Sequence, residues 1–151
     1  MKLAEALLLR AELQKKFENL QSRILANIKV QENDKPLEKP QSLITEALDI
    51  SEQLCNLINK INSHNNIATL PTGQTLSEAI IQRDMLIKKR NLLANVAAKA
   101  LEKDYRLTHT EVRMSVAVSV EDTQKEIDKL SKEFRELDAK IQALNWTTDL
   151  G

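Results

Sequence analysis

The chain has 151 residues, and its 22 Lys and Arg balance 22 Asp and Glu, for a formal net charge of zero. Two glycines, three prolines and 3% aromatic residues exclude a β-sandwich, a barrel or a Gly-rich phosphate-binding α/β fold. Hydrophobic residues make up 42%, too many for disorder, and there is no basic excess to hold nucleic acid through its phosphates.

The first predicted helix covers 2–28. Leu3, Ala6, Arg10, Leu13, Phe17, Leu20 and Ile24 recur at steps of three and four, an a/d seam with Arg10 as a polar intruder. The apolar stretch at its start is interrupted by Glu5 and runs on into Arg10, Glu12, Lys15 and Lys16. It reads as an amphipathic helix rather than a secretory signal, so a cytoplasmic location is expected. No apolar run reaches the ~18 residues of a membrane span, and no membrane partner is expected. Residues 29–41 read as a polar loop, with two prolines and no periodicity.

A second helix is predicted from Ser42 to about Asn62. Its seam is Ile44, Ala47, Leu54, Ile58 and Ile61, with Leu43, Ile50 and Leu57 beside it. Cys55 lies next to that stripe, so a buried, inert thiol is expected; as the single cysteine it forms no internal disulfide. A polar segment, 62–75, follows. Asn62, Ser63, Asn65 and Asn66 offer local hydrogen bonds that compete with helix. Residues 67–70 read as extended, and Pro71-Thr72-Gly73 as a turn. Thr75-Leu76-Ser77-Glu78 is a capping box, opening a third helix over 76–104.

Val112, Met114, Val116, Val118 and Val120 alternate with Arg113, Ser115, Ala117 and Ser119. Period two with β-branched residues predicts a strand over 112–120, paired with 67–70 or with the same strand of a second subunit. The fourth helix is predicted over 121–144, on the seam Thr123, Ile127, Leu130, Phe134, Leu137, Ile141 and Leu144. Its outer faces offer the i,i+4 pairs Glu121–Lys125, Asp128–Lys132 and Glu136–Lys140. Asn145-Trp146 is expected to end it, with Trp146 as a packing anchor. The expected fold is mainly α: one domain, 1–151, forming an elongated bundle of four long antiparallel helices with coiled-coil seams and a small β element.

Several blocks of this sequence occur together in one known family. They are Met1-Lys2-Leu3-Ala4-Glu5-Ala6-Leu7 with Arg10-Ala11-Glu12-Leu13-Gln14, then Ile61-Asn62, Asn65 and Gly73-Gln74-Thr75-Leu76 with Ala79, Arg83 and Asp84. The alternating segment 112–120 and the closing Ile141-Gln142-Ala143-Leu144-Asn145-Trp146-Thr147-Thr148 complete the pattern. In these blocks the chain resembles the septicolysin-like family of small bacterial proteins. That resemblance implies a mainly helical fold and carries no established reaction. The toxin-like family name finds no counterpart in a Trp-rich membrane-inserting loop here.

The segment most suggestive of a site is Asn62, Asn65, Thr75, Arg83 and Asp84. A helix N-terminus at Thr75 presents unpaired N–H groups that suit a carboxylate or phosphate, and Arg83 lies two turns further on. A bland reading competes: Thr75 only caps its helix, the asparagines end the preceding one, and Arg83 pairs with an acidic neighbour. Residues 83–106 hold seven bases and three acids, and 121–149 eight acids and five bases. Complementary packing between helices explains both stretches, Lys88-Lys89-Arg90 included, without nucleic acid. His64 and His109 have no Cys or His at metal-ligand spacing, and Tyr105 is the only tyrosine for base stacking. No motif calls for a catalytic residue, metal or cofactor. The expected function is a non-enzymatic helical protein that forms homo-oligomers. The alternative is a binder of a small anionic ligand or nucleotide at the start of the third helix.

Overall fold

The computed structural model describes residues 1–103 and 112–151. They form four α-helices: α1, Leu3–Ala26; α2, Pro40–Asn65; α3, Leu76–Leu101; and α4, Val120–Thr147. The fold class is mainly α, as the apolar periodicity requires. The chain divides into two compact units, Met1–Thr69 with Gln142–Gly151, and Leu70–Ile141.

In the first unit α1 and α2 form an antiparallel hairpin. Leu13 and Leu20 of α1 and Leu43, Ala47, Ile50, Leu57 and Ile61 of α2 are buried. Lys16 pairs with Glu46 (3.0 Å), and Arg23, one turn and more further along, pairs with the earlier Glu38, which fixes the opposed directions. Asn27 ends α1: its side-chain amide donates to the Arg23 carbonyl (2.8 Å) and its Oδ1 accepts from the Glu38 N–H (3.1 Å). The connection is therefore hydrogen-bonded across its base. Pro40 stands at the first position of α2, where its missing N–H costs nothing. The C-terminus closes the unit: Lys2 and Asp149 form an antiparallel bridge, and the Leu3 N–H donates to the Thr148 carbonyl (2.9 Å).

The second unit opens on a turn. The Gly73 N–H donates to the Leu70 carbonyl (2.9 Å), with Gly73 at φ +86°, a conformation in which a side chain would strain the backbone. The capping box forms as read: Thr75 Oγ1 accepts from the Glu78 N–H (3.2 Å) and Glu78 Oε2 from the Thr75 N–H (2.9 Å). α3 and α4 run antiparallel here, since Arg83 bonds to Asp138 (2.9 Å) and Arg90 to Ser131 (3.0 Å). Leu76, Ala79, Leu86, Ala97, Ile127, Leu130 and Ile141 are buried.

Five expectations change. The polar residues after Asn62 do not break α2. The Ser63 hydroxyl donates to the Asn59 carbonyl (2.9 Å) and the Asn66 N–H to the Asn62 carbonyl (3.3 Å), so the helix absorbs them and runs to Asn65. α4 likewise continues through Asn145 and Trp146 to Thr147, and Trp146 is exposed rather than an anchor. Cys55 is exposed, because the buried stripe of α2 runs through Leu43, Ala47, Ile50, Leu57 and Ile61, while Leu54 and Ile58 of the expected seam are only half-buried. On α4, Glu121 pairs with Lys125 as read (3.2 Å), whereas Lys132 reaches Glu136 (3.9 Å) and Asp128 accepts from Gln124 (3.0 Å). The largest change is at 112–120: residues 112–117 form no strand, and Val120 is the first residue of α4. Period two makes a segment able to pair, but a strand needs a neighbour for its backbone. The expected end of the third helix at Asp104 lies outside the described residues, as do Tyr105 and His109.

Candidate functional site

The expected site residues fall in both units. Asn62 and Asn65 lie on the last turn of α2 in the first; Thr75, Arg83 and Asp84 lie at the start of α3 in the second. Within the second unit, Thr75 caps α3, and the Glu78 carboxylate sits at the helix N-terminus where an anion would bind. Arg83 is largely covered, with 23% of its side chain exposed, and its guanidinium meets two carboxylates, Asp138 at 2.9 Å and Asp84 at 3.3 Å. A groove of about 570 Å³ opens nearby, lined by Gln74, Gln82, Glu133, Glu136 and Lys140 among others. Its two carboxylates oppose an anionic guest.

The basic run is likewise engaged locally. Arg90 Nε donates to Ser131 Oγ, and the α3–α4 groove beside it sets Lys89 and Lys129 against Glu126 and Glu133. Those charges balance, so this groove is no phosphate track. His64 serves through its backbone: its carbonyl accepts from the Ile67 and Ala68 N–H groups (3.0 and 2.8 Å). Among the described residues no cluster of His, Cys, Asp and Glu could hold a metal ion, and no helix is long and apolar enough to cross a membrane.

A different surface of the second unit stands out. The side chains of Val112, Met114, Val116 and Val118 are exposed, from 86% at Val112 to 45% at Val118. Within the unit, 112–118 makes no backbone hydrogen bond to another described residue. The segment runs along the end of α3, and between them lies a groove of about 610 Å³, lined by Leu92, Val96, Ala100 and residues 114–118. Ile81, Met85 and Leu92 are also exposed. Their spacing of four and seven places them on one face of α3, with exposed Lys88 between Met85 and Leu92. Sequence reasoning missed this face because the seam through Ala79, Leu86 and Leu93 accounted for the helix. The surplus of apolar positions off that seam was the available signal.

A mainly α-helical protein with exposed apolar side chains on its second unit is the class this geometry defines. The chain belongs to a family of unknown function, DUF6847, whose model matches residues 10–150. It is similar in structure to a functionally unknown conserved protein from Corynebacterium diphtheriae, at 35% identity and a TM-score of 0.92, over 100% of this chain and 99% of that one. No curated protein matches the sequence significantly.

Proposed function

We propose that this protein is a non-enzymatic interaction protein that self-associates through the apolar face of its second unit. The observation that supports this reading is the run of exposed Val112, Met114, Val116 and Val118 beside exposed Leu92, with the groove between them lined by Val96 and Ala100 as well. A cluster of exposed apolar side chains rimmed by polar ones marks protein–protein contact in soluble proteins. The test is light scattering on a size-exclusion column at low and high salt. An oligomer that survives high salt is expected, because apolar burial is not screened. Leu92→Asp is expected to return it to the monomer mass, and a monomeric wild-type protein at every concentration overturns the reading.

The anion-binding alternative, at Asn62, Asn65, Thr75, Arg83 and Asp84, takes second place. Such a ligand has to displace Asp138 or Asp84 from Arg83 and sit beside Glu78. Millimolar phosphate is therefore expected to leave the melting temperature unchanged; a rise that Arg83→Ala abolishes would restore this reading. The septicolysin-like resemblance is compatible with either and supplies no activity of its own.

A further inference from the structure

We propose that residues 148–150 are a strap that closes over the start of α1 and opens on its own, with the Lys2–Asp149 ion pair as its catch. The strap pairs with residues 1–3 as a short antiparallel bridge centred on Lys2 and Asp149. The Leu3 N–H donates to the Thr148 carbonyl (2.9 Å) and the Leu150 N–H to the Met1 carbonyl (3.0 Å). Alternation along the two segments sets Leu3 and Leu150 on one side of the bridge, and both are buried. Lys2 and Asp149 fall on the other side, where Lys2 Nζ meets Asp149 Oδ2 at 2.7 Å and both side chains are exposed.

The helices that the strap joins are closed without it. α1 carries its own start: the Lys2 N–H donates to the Glu5 carboxylate (2.7 Å), and the Ala6 N–H to the Lys2 carbonyl (3.0 Å). α4 carries its own end: the Thr148 N–H donates to the Leu144 carbonyl (2.9 Å), and the Thr147 hydroxyl to the Ala143 carbonyl (3.0 Å). None of these bonds crosses between the two segments, so releasing 148–150 breaks neither helix. Opening gives up two backbone hydrogen bonds, one exposed ion pair and the burial of Leu150, while the stripe between α1 and α2 stays packed. A unit held by so little opens well below the free energy of global unfolding. Asn145, buried one turn before the strap with its Oδ1 unpaired among the described residues, weakens the seat from the α4 side. The open strap frees the Leu3 N–H and the Met1 carbonyl, the kind of groups through which an extended segment adds to an edge. The closed strap is thus an intramolecular cover over that edge.

The experiment is native-state hydrogen exchange by NMR on the full chain, at several urea concentrations below the unfolding transition. Leu3 and Leu150 both donate across the bridge, so their amides are expected to share one protection factor. That factor should lie at least about tenfold below that of Ile61 in the α2 core and barely change with urea, because local opening exposes little surface. Ala6, bonded within α1, should stay better protected than Leu3. Asp149→Asn, at an exposed position, is expected to lower the Leu3 and Leu150 factors together by about two- to fivefold, as for loss of an exposed ion pair. Leu3 and Leu150 factors that match Ile61 and fall with urea as it does overturn the strap, since the segment then opens only with the whole fold. Unequal factors at Leu3 and Leu150, or an Ala6 amide that opens with them, overturn it as fraying of α1. Unchanged factors in Asp149→Asn overturn the ion pair as its catch.

Discussion

Asn145 is 4% exposed on the last turns of α4, and its Oδ1 has no hydrogen-bond partner among the described residues. A buried acceptor left unpaired costs about 1–3 kcal/mol, whereas an apolar group of similar size costs nothing of the kind. Asn145→Leu is therefore expected to raise the unfolding free energy by about 1 kcal/mol, read by urea denaturation. Arg10, the polar intruder of the α1 seam, likewise has a buried Nε without a partner among the described residues. Surface charges act differently. The Arg23 guanidinium, hydrogen-bonded to Glu38, holds that carboxyl below the usual carboxylate range, and Lys2 does the same to Asp149. A carboxyl with a depressed folded pKa contributes stability in full above its unfolded value, and loses it as pH falls through the folded value. The melting-temperature gap between the wild type and Glu38→Gln should therefore be present at pH 7 and should close below about pH 4. Both groups are solvent-accessible, so the gap is expected to shrink at high salt as well.

At the scale of the element, caps and stripes decide. Thr75 and Glu78 satisfy each other's backbone N–H groups, and Thr75→Ala is expected to cost about 1 kcal/mol in a thermal or urea melt. Leu20 of α1 and Ile61 of α2 are each 1% exposed, and Ile61→Ala should cost about 2–5 kcal/mol by leaving a cavity between packed helices. The capping box was readable because its partners lie three residues apart. Helix ends were less so. Ser63 could either terminate α2 or donate back to Asn59, and the choice depends on whether the flanking Ile61 gains by staying buried in the helix. The alternation at 112–120 shows the same limit in stronger form. Periodicity describes one segment's two faces, and no local pattern says whether a neighbour lies alongside.

For the molecule as a whole, the two units define what each candidate surface can do. The start of α3 carries its own counter-charges, and the end of α3 carries apolar side chains without cover. Salt-resistant association through the latter, lost in Leu92→Asp, is the expected behaviour in light scattering. Sequence alone determined that this is an α-helical protein with four long helices, because seams repeating every three and four residues accept no other backbone. It also determined where α3 begins, because a capping box is local chemistry. Tertiary structure alone decided that Cys55 faces outward, that Arg83 is matched by Asp138, 55 residues away, and that 112–117 takes no strand among the described residues. Those outcomes depend on which faces of separate elements meet, and the burial and hydrogen bonding that settle them exist only once distant segments have packed.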